Sequence, residues 1–173
     1  MKRIFVVKFS HDTDLEEYSR VITATFLLSG SIRVENKLVI IDNNRDVCIC
    51  IDGAKMKRYG PDIHTSKGWL ETVLGSKNPR YLGAEIAEPE SCLNILCQNN
   101  SLVLITSSNN CKPLRDITLL LGREKYENII ILVDTVHVKV PGKKISVCID
   151  NELDYWEKIV VLNIFLDNML PSN

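Results

Sequence analysis

Cysteine is the residue type in this chain best equipped for chemistry, and the spacing of its six copies decides what chemistry they offer. Cys48 and Cys50 lie two apart in a β-branched run, so a strand through Asp46–Ile51 points both thiols to one face. Cys92 and Cys97 are separated by four residues, and Cys111 follows beyond the apolar run Leu102–Thr106. Structural zinc is usually held by four ligands delivered as two close pairs on tight turns. Here one pair is wide, the other lacks a partner, and His137 and Cys148 complete a set only if the fold brings them in. Buried thiols are the simpler reading, because free cysteine is among the most buried residue types. No metal ligand is assigned. A nucleophilic thiol would need a basic neighbour to lower its pKa. Cys111 precedes Lys112 and Cys92 follows Glu90-Ser91, and neither arrangement is diagnostic.

A second group of reactive side chains is Asp62-Ile63-His64-Thr65-Ser66-Lys67, on what reads as a loop. Thr65 and Ser66 are also natural caps for a following helix. His11 and Asp12 sit at a strand-to-helix turn, where polar residues are expected. No glycine-rich phosphate loop, nucleophile elbow or metalloprotease histidine pair is present. No catalytic residue and no cofactor is therefore assigned, and the expectation is a protein that is not an enzyme.

Charge is unevenly placed although the net charge is only -1. Lys55, Lys57, Arg58, Lys67, Lys77 and Arg80 form a basic middle, with Tyr59 among them. Glu85, Glu88 and Glu90 form an acidic block, and Asp150, Glu152, Asp154 and Glu157 form another. A basic loop suits nucleic-acid phosphates, whereas an acidic surface suits a basic protein partner. The near-neutral balance weighs against nucleic acid as the bulk partner. The expected partner-binding residues are Glu85, Glu88, Glu90, Glu152, Asp154 and Glu157.

The elements that must position these groups follow from pattern. Residues 2–9, KRIFVVKF, read as a strand. Thr13 and Glu16 make a capping box for a helix carrying Leu15, Tyr18, Ile22 and Phe26 on one face, with Gly30 as its stop. Ser31–Val34 and Lys37–Ile41 suggest a hairpin around Glu35-Asn36, and Asp46–Ile51 a third strand. A helix through Ser66–Leu74, capped by Thr65 and Gly75, buries Trp69, Leu70 and Val73. Further strands are expected at Arg80–Ile86, Leu102–Thr106, Asn128–Val133, Val136–Val140 and Ile145–Ile149, the last two around Pro141-Gly142. A final helix from Glu152 to Asn168, capped by Asn151, carries a wide apolar stripe. Hairpins mixed with isolated helices predict an α+β fold: a mixed, mostly antiparallel sheet with about three helices. The 173 residues suit one domain, with an inner boundary near 81–89.

Location follows from absences. The apolar stretch after Met1-Lys2-Arg3 is too short for a signal peptide, and no run approaches a membrane span. A cytoplasmic protein with reduced cysteines and no membrane partner is the expectation.

The order Pro79-Arg80-Tyr81-Leu82-Gly83, Glu90-Ser91-Cys92, Leu102-Val103-Leu104-Ile105-Thr106 and Cys111-Lys112-Pro113-Leu114 resembles a family of uncharacterised bacterial zinc-ribbon-containing proteins. The resemblance covers about a fifth of the chain. It implies nucleic-acid binding and a metal site of which Cys92 and Cys111 are single members of former pairs.

Three roles are compatible with these features. The leading one is an immunity-type protein that binds and neutralises a protein partner such as a toxin through its acidic residues. The second is a nucleic-acid-binding protein derived from a zinc ribbon, with zinc on Cys92, Cys97 and Cys111. The third is a small enzyme using Cys92, Cys111 or His64.

Overall fold

A computed structural model describes residues 1–9, 13–28, 31–60, 62–96, 100–135, 138 and 140–169. Its framework is a seven-stranded sheet. In chain order the strands are β1 (Lys2–Phe9), β4 (Asn36–Asp42), β5 (Val47–Asp52), β6 (Ala84–Ala87), β7 (Ser101–Ser107), β8 (Asn128–Val133) and β9 (Lys143–Cys148). Their spatial order is β6-β5-β4-β1-β8-β7-β9. A separate two-stranded ribbon joins β2 (Leu27–Leu28) to β3 (Ser31–Ile32). The helices are α1 (Leu15–Phe26), α2 (Ile63–Gly75), α3 (Pro89–Leu96), α4 (Leu114–Arg123) and α5 (Tyr155–Met169).

β1 pairs in parallel with both β4 and β8, and β7 pairs in parallel with β8 and β9. Only β5 runs the other way, against β4 and β6. The expectation of an α+β fold with a mostly antiparallel sheet and about three helices is therefore corrected to an α/β fold with a mostly parallel sheet. The physical reason lies in the strands themselves. KRIFVVKF, SLVLITS and NIIILV each carry an unbroken apolar run of four or more residues, as strands covered on both faces do. All six residues of β8 are buried.

The pleat divides each strand between two cores. Phe5, Val7 and Phe9 of β1 face α1, α2, α4 and α5, while Ile4 and Val6 face α3 and Val138 and Val140. Two helices escaped the sequence reading. α4 buries Ile117, with Leu114, Leu120 and Leu121 packed beside it, and α3 begins at Pro89, a proline being at home in a first turn.

The hairpin expected around Glu35-Asn36 does not form. Ser31–Ile32 folds back on Leu27–Leu28, and β4 pairs with β1 and β5 instead. Asn36 explains the turn: its buried Nδ2 donates to the carbonyl of Thr25 at 2.6 Å and to Oδ1 of Asn163 at 3.1 Å. That ties the start of β4 to α1 and α5. Asp14, not Thr13, caps α1, accepting from the Glu17 amide at 2.8 Å. α2 starts earlier than expected because Asp62 accepts from the amides of His64 and Thr65. Pro79–Leu82 forms a 3-10 turn ahead of β6, and β6 joins β5 in the common sheet across the expected boundary. Gly30 and most of Val136–Val140 lie outside the described residues.

Among the described residues no helix is long and apolar enough to cross a membrane.

Candidate functional site

Parallel strands share a direction, so β1, β4, β7, β8 and β9 all end on one edge of the sheet. The chain leaves β1 and β9 there to start α1 and α5, bringing two helix N-termini together. Open α/β sheets bind ligands at this carboxyl edge, and polar side chains concentrate on it here.

At the end of β8, Asp134 takes a left-handed backbone (φ 52°). Its amide donates to Oγ1 of Thr106 on β7, and the Thr106 hydroxyl donates to Asp134 Oδ1, both at 2.8 Å. Nζ of the buried Lys158 on α5 donates to Asp134 Oδ2 at 2.6 Å. The next residue, Thr135, is buried, and its hydroxyl has no partner among the described residues. The Tyr155 ring meets Phe9 edge-on, with centroids 5.4 Å apart. Burial, with Asp134 and Glu17 nearby, raises the pKa of its phenol.

At the end of β4, the buried Asp42 accepts from the Tyr18 hydroxyl, from Arg45 Nη1 at 3.0 Å and from the amides of Asn44 and Arg45. Burial alone would raise the Asp42 pKa, but the hydrogen bonds from Tyr18, Arg45 and Asn44 outweigh it and hold the carboxyl below the usual range. Tyr18 moves the opposite way, raised by its own burial and by the Asp42 carboxylate.

Between the heads of α1 and α5 lies a cavity of about 430 Å³ lined by Asp14, Glu16, Glu17, Arg20, Asp154 and Trp156. The indole Nε1 of Trp156 is buried and has no hydrogen-bond partner among the described residues. Leaving such a donor unsatisfied costs about 1–3 kcal/mol. The carboxylates around the cavity favour a ligand with positive charge.

The six acidic residues expected to form one interface are not brought together. Glu85, on β6 and ion-paired with Arg80, lies with Glu88 and Glu90 at one edge of the sheet. Glu152, Asp154 and Glu157 follow β9, the opposite edge strand. Asp154 is the one that reaches the cavity, and Glu157 accepts from its amide at 2.8 Å. His64 is exposed on α2, away from this edge, and His11, Asp12 and His137 lie outside the described residues. Tyr59 does not project from the basic loop. It packs edge-on to Trp69, and Tyr81 is the exposed ring, with Lys57 Nζ 4.7 Å from its centroid.

The cysteines are also rearranged. Cys48 is joined to Cys92 and Cys111 to Cys148 as disulfides, so four of the six expected thiols are corrected. The sequence separations of 44 and 37 conceal this, because only the folded sheet brings the α-carbons to 6.3 and 5.0 Å. Cys92 and Cys111, candidate members of one zinc set, belong to different bridges. Cys50 remains a thiol, and burial, reinforced by Glu85 and opposed by Lys37, pushes its pKa up to about 12. It is un-ionised at neutral pH, which removes it as a nucleophile. Asp134, Lys158, Thr106 and Thr135 were missed by the sequence reading, and their one signal was a polar pair directly ending the apolar run of β8.

No family model matches the sequence, and no curated protein matches it. Among solved structures the chain is similar to Nep1 from Archaeoglobus fulgidus, in a crystal structure bound to S-adenosylhomocysteine. The identity is 9%, the TM-score is 0.54, and the match covers 91% of this chain and 71% of that one. The likeness is one of fold. It removes the α+β fold from beneath the expectation of a non-enzymatic, immunity-type toxin inhibitor, and the acidic residues that motivated that expectation are divided between two edges of the sheet. The α/β fold seen here is one that, in Nep1, accompanies an adenosyl ligand.

Proposed function

We propose that this protein binds an S-adenosylmethionine-class cofactor at the carboxyl edge of its parallel strands and acts as a methyl transferase. The observation that carries the reading is the fold shared with Nep1, which was crystallised bound to S-adenosylhomocysteine. S-adenosylhomocysteine is what S-adenosylmethionine becomes once its methyl group has left. The site supports the reading independently. Its cavity is ringed by carboxylates, as suits a ligand carrying a sulfonium and an ammonium group, and Trp156 offers an aromatic face. Thr135 offers a buried hydroxyl at the end of β8.

When bound, such a cofactor supplies a methyl group on a positively charged sulfur. The chain's own residues orient it: Thr106 and Lys158 fix Asp134 at the end of β8, and Asp14 and Asp154 provide negative charge at the helix heads. The test is calorimetric titration of the full chain with S-adenosylmethionine and S-adenosylhomocysteine. Dissociation constants between roughly 1 μM and 1 mM are expected, the ordinary range of enzyme substrates. Substituting Trp156→Phe should weaken binding while leaving the fold intact. A folded protein that takes up neither compound at millimolar concentration sinks the proposal.

A further inference from the structure

We propose that Cys48, Cys50 and Cys92, once reduced, form a three-thiolate site for one divalent ion of the zinc and cadmium class. The inference is independent of the reading above, since these residues sit on the opposite core, near the β6 edge of the sheet.

Two elements build the triad. Cys48 and Cys50 are two apart on β5 and share a face, and Cys92 of α3 lies over them. The three sulfurs all lie within 4.8 Å of one another. Cys48 and Cys50 Sγ are 3.9 Å apart. Thiolates bonded to zinc at about 2.3 Å stand roughly 3.8–4.0 Å from each other in tetrahedral or trigonal geometry, so this pair already has the spacing of two ligands on one ion. Cys92 is closer, 2.9 Å from Cys50 Sγ and bonded to Cys48. The site therefore exists only after the Cys48–Cys92 bond is opened. A phosphine does this with water, becoming the phosphine oxide while the two sulfurs take up two electrons and two protons. The ion then displaces the thiol protons as the sulfur–metal bonds form.

Access and charge fit a metal as well. Cys48 and Cys92 are fully buried, whereas Cys50 lines a cleft of about 350 Å³ shared with Lys37, Lys55, Arg80 and Glu85. The cleft is an entry path. Its cations offset the negative charge of three thiolates on one divalent ion. Glu85 stands directly across the ladder from Cys50 with its carboxylate held by Arg80, which leaves the fourth position to water.

The experiment uses the full chain carrying C97S, C111S and C148S, so that only the triad remains. Reduced with a phosphine and titrated with cadmium alone without oxygen, it should show thiolate-to-cadmium ultraviolet absorption that saturates at one equivalent. Adding C50S should weaken binding by more than the roughly 10- to 100-fold that loss of a supporting contact costs. A folded triad variant with no saturation at one equivalent, or an affinity indifferent to C50S, overturns the proposal. Should the triple substitution unfold the chain, C50S alone in the otherwise intact reduced protein must lose one equivalent of cadmium, and unchanged stoichiometry overturns the proposal equally.

Discussion

Lys158 Nζ and Asp134 Oδ2 meet at 2.6 Å, yet the lysine side chain is 4% exposed and the carboxylate 32%. The two partners therefore have unequal alternatives when the other is removed. Without Asp134 the buried ammonium has no water to turn to, which costs about 3–5 kcal/mol. Without Lys158 the carboxylate keeps its solvent and the Thr106 hydroxyl, so the loss is nearer 1–2 kcal/mol. Urea midpoints should fall further for Asp134→Ala than for Lys158→Met. Equal losses would mean that Lys158 is better solvated than its burial implies.

Asp167 of α5 binds Arg3 and Arg33, the latter at 2.9 Å, so it pins the last helix to β1 and to the turn before β4. Burial alone would raise its pKa, but hydrogen bonds and charge from the two arginines outweigh that and lower it. A carboxyl whose folded pKa lies below its unfolded one contributes stability that is present above the unfolded value and lost as pH falls through the folded value. The wild type should therefore be more stable than Asp167→Asn at pH 7. The gap should close as unfolding is followed from pH 5 down to pH 2, and a gap that stays constant would contradict the linkage.

Tyr18 donates to a carboxylate, Asp42, that is 1% exposed. Replacing Tyr18 by Phe keeps the ring against Phe9 but strips Asp42 of one donor. The expected cost is about 1–3 kcal/mol in chemical denaturation. Arg45 continues to serve the carboxylate, so the variant should stay folded.

Gly142 has φ +126°, and a β-carbon there would stand 2.5 Å from the Ser101 carbonyl oxygen. Gly142→Ala combines backbone strain of about 1–3 kcal/mol with a clash against the backbone of β7. A thermal midpoint lowered by several degrees is expected, whereas Gly68→Ala, where a β-carbon meets nothing within 4 Å, should be neutral or mildly stabilising.

Strands were legible where composition alone determines them. β1 and β8 match their expected spans, and β7 differs by one residue at each end, because a buried β-branched run admits few other conformations. Pairing was not legible. Nothing local in Asn36–Asp42 says that it lies beside Lys2–Phe9 rather than Ser31–Ile32, since that choice depends on Asn36 reaching Thr25 and Asn163. The candidate site was hidden for the same reason. Asp134, Thr106 and Lys158 are each unremarkable in sequence and become a cluster only when parallel pairing stacks the strand ends. Of the residues around the cavity, Asp154 was singled out beforehand as a partner contact and Glu16 as half of a capping box, each for a different role.

The position of β1 between β4 and β8 has a consequence for how the chain is born. Its partner on one side leaves the ribosome after about thirty residues, but the other is encoded by Asn128–Val133. For most of synthesis, then, one flank of a strand with the apolar centre Ile4–Val7 has its backbone donors and acceptors open to any passing extended segment. Such late, non-local closure slows folding and prolongs exposure to misassembly. A nascent chain halted before residue 128 should therefore engage chaperones strongly, and release should coincide with the arrival of β8.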